Sequence, residues 1–189
     1  IVIIGAGGIV RGAHLPAYAK AGLTVSGVTD LDPARREALA HDFNIRQVFA
    51  SVAEAASVGG TSVVYDIAVP PHAITTILPD LPDGAAVLIQ KPMGADLAQA
   101  RAIRQLCRDK QLKAAVNFQL RFSPMMMAAR QAVQGGLIGD PLELEVHLNI
   151  FTPWHLFPFL LPMRRVELLV HSIHYLDLSL IHISEPTRL

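Results

Sequence analysis

Charge imbalance, cysteine and long uninterrupted apolar runs are all scarce in this chain of 189 residues. Sixteen Lys and Arg offset sixteen Asp and Glu, for a formal net charge of +0, which leaves no electrostatic footprint for nucleic acid or an anionic lipid surface. The one cysteine, Cys107, excludes a disulfide framework and a multi-cysteine metal site, and suits a reducing compartment. The longest strongly apolar stretch, Phe151 to Met163, is broken by three prolines and is too short to span a bilayer. The chain opens on IVIIGAGG with neither a basic start nor a small-residue cleavage site, so no signal peptide is expected. What is abundant is apolar: 51% of residues are hydrophobic, 17% are charged, and the mean hydropathy is +0.37. That composition excludes a disordered chain. The length suits one well-cored domain with part of a second. The expected protein is soluble and cytoplasmic, or a piece of one, without nucleic-acid or membrane partners.

The first 117 residues repeat one rhythm, a short apolar run, a turn and a helical pattern. Strands are predicted at Ile1–Ile4, Thr24–Thr29, Arg46–Phe49, Val63–Val69, Ala85–Ile89 and Lys113–Asn117, Val/Ile-rich and bounded by turn residues as buried parallel strands should be. Helices are predicted at Ile9–Ala21, Pro33–Asp42, Ser51–Val58, Pro71–Leu78 and Ala95–Lys110. The alternation predicts an α/β fold, a doubly wound parallel sheet covered on both faces. Asp32-Pro33 reads as a capping carboxylate before a first-turn proline, and Gly22 as a left-handed helix cap. After Phe118 the rhythm changes. A helix is expected at Pro124–Gln134, with Met125–Met127 in its core, and LELEVHLNI (Leu142–Ile150) alternates like a strand with one wet face. A further helix is expected from about Arg165 to Asp177, after the aromatic stretch FTPWHLFPFLLP.

The strongest chemical signal is IVIIGAGGIVRG, where a strand ends at Gly5 and a helix opens through Gly7, Gly8, Ile9 and Val10. Gly5 permits the tight turn, Gly7 lets a pyrophosphate approach the backbone, and the helix N-terminus offers N–H groups and a positive dipole end. Val10 stands where the dinucleotide fingerprint usually has Gly or Ala. An acid, Asp30, closes the second strand at the spacing expected for a ribose partner, favouring NAD over NADP; Arg35 and Arg36 just beyond could offset a 2′-phosphate. VVYDIAVPPHAI sets Ala68, Val69, Pro70 and His72, and AAVLIQKPMG sets Gln90 and Lys91, in turns at the carboxyl ends of strands, where open α/β sheets hold ligands. Lys91 reads either as a solvated surface lysine or as a reactive group beside a cofactor cleft. In ELLVHSIHYLD, His171 and His174 are one helical turn apart, with Asp177 three residues on. They read as a proton relay or general base, or simply as a polar helix face; no third ligand suggests a metal. His14, His41, His147 and His155 show no grouping and are read as structural.

In their order along the chain, IIGAGGIVRGAHLPAY, GVTDLDPARREALA, VPPHAI, QKPMG, VNFQLRF, IGDPLELEVH and HSIHYLD resemble the glucose–fructose oxidoreductase / inositol dehydrogenase family, Gfo/Idh/MocA, from Ile1 to Asp177. The resemblance implies an N-terminal Rossmann NAD(P)-binding domain over residues 1–120. It also implies the start of an α+β substrate domain with a mostly antiparallel sheet over 121–177, truncated here. Lys91 then matches the lysine of the family's Glu-Lys-Pro motif, with Gln90 in place of Glu. His174 matches the acid/base histidine, and Gln119 and Arg121 fall on a segment near cofactor and substrate. Val170 stands where the family often has Asp, and His171 is read as its substitute. Leu178–Arg188, LSLIHISEPTR, looks like a translated sequencing adaptor, so 178–189 is expected to be a non-native tail.

The resemblance implies hydride transfer between NAD, or less favoured NADP, and a secondary alcohol or ketone of a sugar, polyol or related compound. Lys91, His174 and His171 would be the catalytic residues, and the protein a homo-oligomer. Two alternatives stay open: NAD-assisted glycoside cleavage with no net cofactor reduction, and a non-catalytic dinucleotide- or sugar-sensing protein.

Overall fold

The structure, a computed structural model, describes residues 1–152, 155 and 158–179. Residues 180–189 of the predicted tail, and Pro153, Trp154, Leu156 and Phe157 of the aromatic stretch, lie outside the described residues. The chain divides into two units, Ile1–Asn117 and Phe118–Leu189.

The first unit is built on six parallel strands: β1 (Val2–Ile4), β2 (Gly27–Thr29), β3 (Gln47–Phe49), β4 (Val64–Ile67), β5 (Ala86–Ile89) and β6 (Lys113–Val116). Their order, β3-β2-β1-β4-β5-β6, reverses direction of growth between β1 and β4, and a doubly wound sheet binds ligands at that switch point. Helices α2 (Pro33–Phe43), α3 (Val52–Gly59), α4 (Ile74–Ile77, flanked by 3-10 turns) and α5 (Leu97–Asp109) make the crossovers. A π-helical turn, Val10–His14, leads into α1 (Leu15–Lys20).

Side-chain alternation sorts the apolar residues onto the two sheet faces. Val2, Ile4, Tyr65, Ile67, Val87 and Ile89 pack in one core cluster; Ile3 and Val28 pack in the other with Val10, Leu15 and Leu39. Burying each large aliphatic side chain contributes about 1.5–3 kcal/mol, which is why such short strands hold. Asp32 caps α2 by accepting the N–H groups of Ala34 at 2.9 Å and Arg35 at 3.4 Å, with Pro33 in the first turn. Gly22 takes the left-handed conformation after α1, with φ +68.

The π turn has a local cause. Leu15 N–H reaches back to Val10 O, five residues away. Pro16 then has no N–H to offer Gly12 O, and its ring crowds that carbonyl.

In the second unit, α6 (Pro124–Gln134) starts at Ser123, whose Oγ accepts the Met126 N–H at 3.3 Å, and ends at Gly135-Gly136. A second π turn, Leu168–Ser172, runs into α7 (Ile173–Leu178). Two expectations are corrected here. Residues 142–150 are exposed and form no strand among the described residues; alternation sets which way side chains point, but a strand needs a neighbour to fill its hydrogen-bond ladder. Met125 and Met127 are also exposed, because three consecutive helical residues spread around most of the circumference and cannot share one buried face. Among the described residues no helix is long and apolar enough to cross a membrane.

Candidate functional site

The ladder carries one residue past several strands and lines up the candidate residues along the sheet's carboxyl edge. Gly5 N–H bonds Thr29 O, Ala68 N–H bonds Ile4 O, Gln90 N–H bonds Ile67 O, and Asn117 N–H bonds Ile89 O, all at 2.8–2.9 Å. Gly5, Ala68 and Gln90 therefore stand in a row across β1, β4 and β5. Val69 and Pro70 follow Ala68, half-buried, and Lys91 follows Gln90 and leads into Pro92 by a cis peptide bond. His72 sits further back, exposed on the 3-10 turn Pro71–Ala73.

The glycines of the loop have different tasks. Gly5 has φ +103, and a Cβ there would lie 2.4 Å from Ala68 O, so both backbone conformation and close approach require glycine. At Gly7 and Gly8 a Cβ would meet nothing within 4 Å. Their missing side chains leave a bare backbone concavity where a helix begins, as an approaching phosphate needs. Val10, at the non-consensus fingerprint position, is 0% exposed and packs in the core beneath the π turn.

Asp30 closes β2 and is half-buried. Its Oδ2 accepts the Ala6 N–H at 2.6 Å and its Oδ1 the Asp32 N–H at 2.8 Å, so it braces the glycine loop as well as ending the strand. A carboxylate oxygen has two lone pairs, so each can still accept from a ribose hydroxyl. Arg36 Nη1 donates to Asp30 O at 3.0 Å, and Arg35 Nε pairs with Asp32 at 3.3 Å. Gln90 Oε1 accepts the Lys91 N–H at 3.1 Å. Burial lowers the Lys91 ammonium below the ordinary lysine range, because the charged form loses more hydration than the neutral amine.

In the second unit, Gln119 and Arg121 lie on the 3-10 turn Gln119–Phe122, with Gln119 exposed. Arg121 grips Asp177 with both arms of its guanidinium, Nε to Oδ2 at 2.5 Å and Nη2 to Oδ1, and that bond holds Arg121 above its ordinary pKa. Its guanidinium also lies 5.5 Å from the Phe118 ring centre. His174 is buried one turn before Asp177, edge-on to Phe118 with ring centres 6.0 Å apart. His171 Nε2 lies 3.3 Å from Thr152 Oγ1, and Val170 is buried. Among the described residues no three His, Cys, Asp or Glu side chains gather where a metal ion could be held.

The sequence reading overlooked two arrangements: the Arg121–Asp177 fork, and a buried cluster of His14, Tyr18 and Asp66. The signal for the second was present, a carboxylate inside the apolar run VVYDI and two polar rings four residues apart on one helix.

Strand order, glycine loop and acidic strand end together define a dinucleotide-binding α/β protein. Residues 1–118 match the model of GFO_IDH_MocA, an oxidoreductase family with an NAD-binding Rossmann fold, and the chain belongs to that family. It is 26% identical over 189 residues to a D-apiose dehydrogenase of Paraburkholderia graminis, covering 99% of this chain and 50% of that protein. To a mouse trans-1,2-dihydrobenzene-1,2-diol dehydrogenase it is 33% identical over 116 residues, 61% of this chain and 35% of that one. The chain thus spans half or less of these relatives' length. Its fold is similar to that of an Agrobacterium radiobacter oxidoreductase solved with NAD+, L-tartaric acid and magnesium, with TM-score 0.79 and 21% identity, covering 96% of this chain and 53% of that one.

Proposed function

We propose that this chain carries the cofactor-binding part of an NAD-dependent dehydrogenase acting on a secondary alcohol of a sugar, polyol or related hydroxylated compound. The observation that supports it best is the bare backbone at Gly7 and Gly8, at the switch point of a sheet whose next strand ends in Asp30. The amides following Gly7 hold the pyrophosphate at the helix's positive end. Asp30 accepts from the adenosine ribose and repels a 2′-phosphate. Arg36 is already engaged on the Asp30 carbonyl and Arg35 on Asp32, which favours NAD over NADP. Ala68, Val69, Pro70, His72, Gln90 and Gln119 complete the cofactor contacts.

A bound nicotinamide supplies the hydride acceptor. The rest falls to side chains. Lys91, half-buried and with a weakened hold on its proton, steadies the substrate oxygen as negative charge develops on it. His174 takes the hydroxyl proton, with His171 as the neighbouring relay. The sugar and polyol class is supported by the D-apiose dehydrogenase likeness.

Calorimetric titration with NAD and NADP tests the cofactor reading. NAD is expected to bind at least tenfold more tightly; no uptake of either at millimolar supply refutes the reading, and the reverse order refutes the preference. A panel of sugars and polyols, scored by reduced-nicotinamide absorbance, tests the substrate class. Aldoses or cyclitols should give turnover where simple secondary alcohols do not.

A further inference from the structure

Asp66 lies in β4, 0% exposed, between Ile3 of β1 and Leu88 of β5 in the sheet register. Its Oδ2 takes two bonds from one helix face. His14 Nδ1 lies at 2.6 Å and Tyr18 Oη donates at 2.9 Å. Among the described residues, Asp66 Oδ1 and His14 Nε2 have no hydrogen-bond partner. A half-satisfied polar group at the centre of a sheet is costly, and apolar residues of similar volume commonly make such a site more stable. A role other than stability would account for the cluster.

The helix it touches supplies that role. Between the glycine loop and Lys20 the backbone is poor at holding itself helical: Gly12 adds flexibility, Pro16 has no N–H, and the turn between them is widened to Val10–His14. Yet the start of this same segment must hold its amides in fixed directions if it is to grip a pyrophosphate. His14 closes the π turn and Tyr18 sits one turn later, and both are tied to β4, which runs directly into Ala68, the residue whose carbonyl Gly5 is pressed against.

We propose that Asp66, through His14 and Tyr18, is a positioning residue for dinucleotide binding, anchoring the weakly helical segment so that its first amides stay aimed at the phosphates. The proposal rests on the glycine loop being the dinucleotide site. It assigns Asp66 no contact with the cofactor.

The test compares the wild-type chain with the single variant Asp66→Asn and the triple variant His14→Leu/Tyr18→Phe/Asp66→Leu. Each is measured by urea unfolding, by calorimetric titration with NAD and with ADP-ribose, and by amide hydrogen exchange. The triple variant is expected to be at least as stable as wild type. It should nevertheless bind NAD and ADP-ribose roughly tenfold or more weakly, with faster exchange confined to Gly7–Leu15. Asp66→Asn keeps the shape and should weaken both ligands several-fold; it serves as the decisive variant if the triple one does not fold. A stable triple variant with wild-type affinity, or an Asp66→Asn variant with wild-type affinity, overturns the positioning role alone. Failure of the wild-type chain to bind either ligand overturns the dinucleotide reading, and this proposal with it.

Discussion

Two neighbouring glycines should fail in opposite ways when each is given a single methyl group. Gly5→Ala forces an L-residue to φ +103 and sets its Cβ 2.4 Å from the Ala68 carbonyl oxygen, well inside contact distance. The backbone strain costs about 1–3 kcal/mol, and relieving the clash means shifting β1 or β4 at the sheet's centre. A total near 3 kcal/mol is a reasonable order of magnitude. For a unit of this size that lowers Tm by roughly 10 °C, taking about 3–5 °C per kcal/mol between the small- and large-domain ranges. Gly7→Ala meets nothing within 4 Å and has no positive φ to strain. Its stability should stay level or rise by about 0.4–1 kcal/mol, as the unfolded chain loses freedom. Its new methyl group projects from the backbone that a phosphate must approach, so NAD affinity should fall roughly tenfold, about 1.4 kcal/mol. Thermal unfolding and calorimetric NAD titration of both variants read the two effects separately. Equal thermal losses would refute the division of labour, and a Gly7→Ala variant with wild-type affinity would refute the cradle.

Lys91 should titrate below the ordinary lysine range in an isotope-edited NMR pH series, since burial disfavours its ammonium; titration within that range would contradict its burial. Because the native pKa is the lower one, the unfolded chain holds more protons between the lowered value and the ordinary lysine value of 10.5. The contribution of Lys91 to stability should therefore rise with pH across that window, and Lys91→Met should flatten the rise. In an intact, full-length homologue, Lys91→Ala is expected to cut kcat by about two to four orders of magnitude, the span for a positioned proton-transfer or charge-stabilising group, while NAD affinity shifts far less. Near-wild-type turnover would remove Lys91 from the chemistry. Asp32→Ala removes the two-bond cap of α2 and should cost about 1 kcal/mol in urea unfolding, with Asp32→Ser recovering most of it.

The inner strands are legible in the sequence because a strand buried on both faces has to be a short apolar run, and runs such as VII and AVLI have few other uses. The edge strands QVF and KAAV, more exposed, are marked by their turn in the alternation. Gly5 is legible for a similar reason: its backbone conformation and its close approach to Ala68 leave the residue type little freedom. The place of Asp30 at a strand end is legible from its spacing, but its bond to Ala6 is not, since which backbone amide faces a carboxylate depends on strand order. The Asp66 cluster joins residues 52 positions apart, and Arg121 meets Asp177 across 56; a lone carboxylate in an apolar run marks the first, but which side chains meet across such separations is set by the fold. Residues 142–150 mislead in the other direction. Their alternation states a preference for a sheet face, while a ladder also needs a second strand.

If Asp30 meets the adenosine ribose as proposed, it is the residue an engineer would exchange first to make the protein accept a phosphorylated ribose. Its bond to the Ala6 amide means that the proposed ribose partner and the loop's scaffold are one part. Replacing the acid by a neutral or basic side chain would welcome the new cofactor and at the same time slacken the turn that must receive it. A successful exchange would need a partner mutation that restores an acceptor for Ala6, so the two preferences can be redesigned only together.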